Sequence, residues 1–315
     1  MKPVRVMCAA AVAAVLLSLL TVPAATSATT TRVANGRIVI SDFKTGEIYT
    51  VRPDGSHFRQ LTHGAPSAFS FAPSWGPTGG HVVFVRRVND RDRIYEMTAD
   101  GARLHRVRTD PRRYNDEAPA YFPAGGRIVF SRCRADGSGC RIATMRRDGT
   151  GLHLLTPARH DVADFRPAVS PDGRFIAFGR FGADGIINRT FVMRSDGSHA
   201  RPVTPARYEA YGPDWAPNGK RLLFSSNCCR LGGNVFTTNL ASGAIHKITH
   251  TPWPLASLNG TYSPTGTRVA LGSDRRHKDR CCVNMFIVAA RGGPAKFVPL
   301  PINHVDQLDW APRRP

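Results

Sequence analysis

RPAVSPDGRFIAF (residues 166–178) sets four turn-favouring residues, Ser170-Pro171-Asp172-Gly173, between two runs of strand-forming residues. On its own, Ser-Pro-Asp-Gly could be a cation-binding loop, a serine with its acid, or a corner. The rest of the chain decides. GPTGGHVVF (76–84), FPAGGRIVF (122–130), SPDGRFIAF (170–178), APNGKRLLF (216–224) and SPTGTRVAL (263–271) are one motif, with starts 46, 48, 46 and 47 residues apart. A short segment precedes each: APSW, APAY, RPAV, GPDW and NGTY. A second signature follows each, as in IYEMTADGARLHRV (94–107) and TFVMRSDGSHARPV (190–203), and IYTVRPDGSHFRQL (48–61) is its first copy.

Each period therefore holds four short strands separated by turns. Four strands in roughly 40–50 residues is the period of a β-propeller blade. Six such units fit after residue 36, which predicts an all-β, six-bladed propeller of four-stranded blades. The chain is rich in turn formers, with 29 Gly and 24 Pro, and its 42% apolar content suffices for a packed core. Length alone would allow two domains, but a closed ring of six blades is one. The ends support closure: ANGRIVI (34–40) lacks the strand that should precede it, and QLDWAP (307–312) supplies that strand with nothing to follow. The C-terminal strand is expected to join the N-terminal blade, which removes exposed sheet edges.

The unit xPxWSPDGxxIxF…IYxMxxDGxxxxxLT resembles the TolB-type propeller, or WD40-like repeat. The resemblance spans roughly residues 33–315 and is closest in the fourth unit. The fifth and sixth replace the xDG turn with ASG and RGG and carry cysteine pairs instead. It implies the propeller fold and, for function, mainly protein or glycan-associated binding in the cell envelope. Propellers host many roles, so fold does not fix activity. Some relatives gate a serine peptidase, but no peptidase domain follows in this sequence.

Residues 1–28 read as a secretory signal peptide. Lys2 and Arg5 give a basic start, Cys8 to Val22 an apolar run, and Pro23 to Ala28 a small-residue exit, with cleavage expected near Ser27 or Ala28. The apolar run is shorter than the roughly 20 residues that span a bilayer. No later segment is apolar enough to cross, so residues 29–315 are expected to be an exported propeller, secreted or held in the periplasm or envelope. Removing Cys8 leaves an even set of six cysteines, as an oxidising compartment favours. Cys133 and Cys140 frame the turn-rich RADGSG and are expected to form a hairpin disulfide. Cys228-Cys229 and Cys281-Cys282 could cross-link, close as vicinal bridges, or supply thiolates to zinc.

The net charge of +20 predicts attraction to polyanions. For an exported chain the partners are a protein surface or an anionic cell-envelope polymer, and nucleic acid is set aside. No motif asks for a cofactor, and nothing in the repeat specifies an oligomeric state. Asp54, Asp100, Asp148 and Asp196 precede Gly in the xDG units and read as turn residues, because Asp bonds local backbone and Gly tolerates positive φ. They lack the density of oxygens that calcium needs. Ser170 lacks the G-x-S-x-G setting of a nucleophile elbow.

The loops between one blade and the next carry the binding candidates. They supply Arg112, Arg113, Tyr114, Arg159, His160, Arg207, Tyr208 and Glu209, with Trp253 and His304 from later units. Arg, Tyr and Trp are the residues of binding hot spots. Asp116 and Asp164, three residues before the repeat proline, read instead as structural acids bonding neighbouring blades. An alternative is a metal-dependent, pectate-type polysaccharide lyase, in which His63, His160, His250 and His304 would converge at the channel. Asn188-Arg-Thr and Asn259-Gly-Thr match the N-glycosylation pattern.

Overall fold

A computed structural model describes residues 36–64, 67–107, 113–157, 159, 161–182, 188–226, 233–277 and 282–312. Six antiparallel four-stranded sheets form the blades of a propeller. Blade 1 contains β1 (Ile38–Asp42), β2 (Glu47–Val51) and β3 (Arg59–Gln60). Blade 2 is β4 (Ala68–Trp75), β5 (His81–Val88), β6 (Arg91–Thr98) and β7 (His105–Arg106). Blade 3 is β8 (Tyr114–Tyr121), β9 (Arg127–Arg134), β10 (Arg141–Arg146) and β11 (His153–Leu154). Blade 4 is β12 (Val162–Val169), β13 (Phe175–Gly182), β14 (Asn188–Arg194) and β15 (Arg201–Pro202). Blade 5 is β16 (Ala210–Trp215), β17 (Arg221–Ser226), β18 (Asn234–Asn239) and β19 (Ile245–Lys247). Blade 6 is β20 (Ser257–Tyr262), β21 (Arg268–Ser273), β22 (Asn284–Ala289) and β23 (Lys296–Val298).

The ring closes as the repeat requires. β24 (Val305–Trp310) pairs antiparallel with β1, aligning Ile38 with Trp310 and Ile40 with Leu308. The C-terminal strand is thus the innermost strand of blade 1.

The corner motif explains itself in atoms. Ser170 Oγ donates to Asp172 Oδ1 at 2.6 Å and accepts the Phe175 N–H at 2.9 Å, while Gly173 turns the chain at φ 72°. The serine and acid are consumed by the turn. In the xDG turns, each Asp carboxylate accepts the N–H two residues on, at 2.9 Å for Asp54, 3.2 Å for Asp100, 2.9 Å for Asp148 and 2.8 Å for Asp196. Side-chain bonds from Ser56, Thr98, Thr150 and Ser198, and then these backbone bonds, favour the ionised acid, and all four carboxyls are held below the ordinary range.

The Thr of the LT signature has an equally specific task. The hydroxyls of Thr62, Thr156, Thr204 and Thr249 each accept a backbone N–H from the third strand, from Ile48, Ile142, Thr190 and Val235, at 2.9–3.0 Å. The outermost strands are only two or three residues long, and this side-chain bond continues their pairing. The motif's final aromatic fills the core: Phe84, Phe130, Phe178 and Phe224 are at most 1% exposed. The apolar clusters bridge neighbours, as where Val39, Ile48 and Leu61 of blade 1 pack with Trp75, Phe84 and Met97 of blade 2. Burial of one such phenylalanine stabilises by about 2–3 kcal/mol.

Asp116 and Asp164 are structural, but they act within their own blades rather than between them. Arg132 chelates Asp116 through Nε and Nη2 at 2.7 and 2.8 Å, and both side chains are buried. Arg180 holds Asp164 the same way at 2.7 and 2.9 Å. The register places Asp116 opposite Arg132 and Asp164 opposite Arg180 on adjacent strands. Cys133 and Cys140 are joined, as expected from the hexapeptide between them. The signal-peptide segment, Cys228, Cys229 and Cys281 lie outside the described residues. Cys282 is buried and its Sγ accepts from Asn303 Nδ2 at 3.4 Å.

Candidate functional site

The blades surround a channel lined by their innermost strands, β4, β8, β12, β16, β20 and β24. The Ser-Pro-Asp-Gly corners and xDG turns lie on one face, here the corner face. The connections between blades, and those between second and third strands, lie on the other, the loop face.

The inner strands share a bulge that sets what the channel contains. In blades 2 to 6 the register slips mid-strand, at Ala72, Ala118, Arg166, Gly212 and Asn259, each with φ between 47° and 58°. A bulge bends its strand and re-aims its side chains. Arg166 Nη1 thereby donates to Asn259 Oδ1 at 2.8 Å, and Asn259 Nδ2 donates to the Asp306 carbonyl at 2.8 Å. These three residues tie blades 4, 6 and 1 across the channel. Asn259, read from sequence as a glycosylation acceptor, has its amide committed inside the channel.

On the loop-face side of this bar stand Glu117 and Asp306. Burial pushes the Glu117 carboxyl up and Asp92 adds to that, against the Arg87 and Arg166 charges. Burial likewise raises Asp306, with Arg166 opposing. On the corner-face side the channel widens into a chamber of about 570 Å³. Its mouth is a ring of prolines, Pro77, Pro123, Pro171, Pro217, Pro264 and Pro312, and Trp75, Tyr121, Trp215, Tyr262 and Trp310 stand in its wall. Two carboxylates enter that wall. Asp214 Oδ2 accepts the Tyr262 N–H at 2.7 Å, and Asp309 Oδ2 accepts the Trp75 N–H at 2.7 Å. Burial pushes the Asp214 carboxyl up to about 7, relieved by the Tyr262 N–H and worsened by the nearby Asp309. Asp309 rises to about 6 by burial, against the bonds from Trp75 and Ser74.

None of the binding candidates singled out in the sequence lines this chamber. Arg113, Arg159 and Arg207 are exposed on the loop face, each on a different connection. Arg159 pairs with Asp161 at 3.2 Å. The Arg207 guanidinium lies 5.1 Å from the centre of the Tyr208 ring. Tyr208 also packs edge-on against Phe224 and Phe236, with ring centres 5.9 and 5.3 Å away. Tyr114 is similarly engaged, its ring under the Arg132 guanidinium at 5.2 Å. Glu209 ends the 3-10 turn Ala206–Tyr208 in a left-handed conformation, φ 44°. His304 meets Phe43 edge to face at 5.0 Å. Among the described residues, Trp253 is the most exposed of the large apolar side chains, at 63%. Arg112 and His160 lie outside the described residues.

His63, His250 and His304 stand on the same face, from three connections. Among the described residues, no group of three or more His, Cys, Asp or Glu side chains is placed to hold a metal ion. No helix among them is long and apolar enough to cross a membrane.

Residues 26–207 match the family model described as the TolB beta propeller domain, more than half of the chain. The chain belongs to that family. The match ends where the repeat itself departs, at the start of blade 5. TolB structures share the fold. That of TolB from Acinetobacter baumannii superposes with a TM-score of 0.72 at 17% identity, over 89% of this chain and 68% of that one. A putative TolB from Agrobacterium tumefaciens gives 0.65 at 16%, over 88% and 99%. An oligogalacturonate lyase from Vibrio parahaemolyticus gives 0.54 at 10%, over 77% and 71%. Comparison with curated proteins gives no significant match.

Proposed function

We propose that this TolB-family propeller is an exported, non-catalytic binding module whose loop face recognises an anionic partner, a protein or an envelope polymer. One observation carries the reading: exposed Arg113, Arg159 and Arg207 stand on the same face as Trp253, which is 63% exposed. A large indole left in water gains free energy when covered, and Arg with Trp is the usual composition of interface anchors. The overall charge of +20 favours an acidic partner and speeds encounter with it.

The test is a pull-down from envelope extract with stepped salt, repeated with Arg159→Ala/Arg207→Ala. Recovery of one partner that salt and the double substitution both weaken supports the reading. Recovery indifferent to both overturns it.

The lyase reading predicts something different. Its support is the fold shared with an oligogalacturonate lyase and the presence of His63, His250 and His304 on the loop face. Under that reading the purified protein carries about one divalent ion per chain, and oligogalacturonides gain ultraviolet absorbance from new double bonds.

A further inference from the structure

The chamber lies on the face opposite the candidate loops and carries chemistry of the opposite sign. From its geometry we propose that it binds a lysine or arginine side chain, with the aliphatic stem against the apolar wall and the cationic head at Asp214 and Asp309.

Four features carry this. The volume, about 570 Å³, is in the range of sites that enclose a ligand, typically 300–1,000 Å³. The mouth is built of six prolines on short corner turns, so the opening is pre-formed and little ordering is needed on binding. The wall is largely apolar, with Ala118, Ala120, Ala168 and Val169 partly exposed beside the prolines, which suits the methylenes of a long side chain. Asp214 and Asp309 come from blades 5 and 1, and both line the chamber together with Thr261 of blade 6. Two carboxylates in so dry a setting are costly to ionise, and an entering ammonium or guanidinium relieves that cost.

The cation at the floor does not cancel them. Arg166 is bonded to Asn259 and acts on Glu117 and Asp306 on the other side of the bar.

The experiment follows tryptophan emission, since three of the four tryptophans line the chamber. The full mature chain is titrated with N-acetyl-lysine methylamide, N-acetyl-arginine methylamide and N-acetyl-norleucine methylamide. The lysyl and arginyl amides are expected to saturate, with norleucyl at least about tenfold weaker, in line with loss of a charge-assisted pair. Asp214→Asn and Asp309→Asn are measured separately. An amide oxygen can still accept the Tyr262 and Trp75 N–H groups, so each variant is expected to fold, checked by circular dichroism, and each should weaken lysyl binding severalfold. Absence of saturation, equal binding of norleucyl amide, or full affinity in both variants overturns the proposal. Failure of the loop-face reading leaves these results unaffected, because no loop-face residue enters them.

Discussion

Arg166 of blade 4 donates through Nη1 to Asn259 Oδ1 of blade 6 at 2.8 Å, spanning the channel. Both residues sit in the left-handed region, at φ 52° and 54°, on equivalent bulges. The bond divides the channel into a loop-face half with Glu117 and Asp306 and a corner-face chamber with Asp214 and Asp309.

Replacing Arg166 by Met should therefore act through pH. Without its charge, Glu117 and Asp306 rise further above their unfolded range, so the folded form is penalised where they are ionised. The variant is expected to lose about 1–3 kcal/mol at pH 8 and distinctly less at pH 5. Thermal melts at the two pH values measure the difference.

The chamber carboxylates give the intact chain its own pH signature. Asp214 and Asp309 are held up to about 7 and about 6, above a reference of 3.8. Between about pH 4 and 7 the folded form binds more protons than the unfolded, so these groups make stability fall as pH rises. Both carboxylates are partly exposed, which weakens the coupling, so the effect from pH 5 to pH 8 is on the order of 1–3 kcal/mol. Asp214→Asn/Asp309→Asn should flatten the slope of melting temperature against pH over that window.

The Arg132–Asp116 pair should show strong non-additivity. Asp116→Ala leaves a buried guanidinium without its anion and is expected to cost about 3–5 kcal/mol. The apolar double variant Asp116→Leu/Arg132→Met should recover most of that. Denaturant titration of both variants and the parent decides; equal losses would contradict it.

The Cys133–Cys140 bridge closes a short loop, with a sequence separation of 7. Chain-entropy reasoning gives a contribution of about 2–3 kcal/mol. The Cys133→Ser/Cys140→Ser variant should melt lower by that margin, with the fold retained.

Much of this architecture was legible because turns and cores draw on few residue types. The Ser-Pro-Asp-Gly corner, the xDG turn and the buried Phe178 announce the blade, and QLDW with ANGRIVI announces its closure. The bulges were not legible, because Ala72, Ala118 and Arg166 adopt positive φ without the glycine that normally signals it. Tyr208 and Tyr114 looked like binding aromatics, yet their partners Phe224, Phe236 and Arg132 become neighbours only once the strands pair. The Asp116–Arg132 and Asp164–Arg180 pairs each span 16 residues, a recurrence visible in sequence. The chamber acids left one faint signal: Asp directly precedes Trp in GPDW and QLDW, where other units have Ser, Ala or Thr.

The closing strand has a consequence for the order of events in folding. Trp310 Nε1 bonds the Gly36 carbonyl across 274 positions. Until Val305–Trp310 has emerged, β1 has no inner neighbour, and blade 1 cannot form as a four-stranded sheet. Blades built from consecutive strands can assemble as synthesis proceeds, whereas the latch is among the longest-range contacts and among the slowest to be made. A chain cut just before Val305 should thus remain an open arc with a sticky edge, prone to pair with another copy. The last strand of the repeat works as a clasp, and it converts a row of blades into a ring in a single late step.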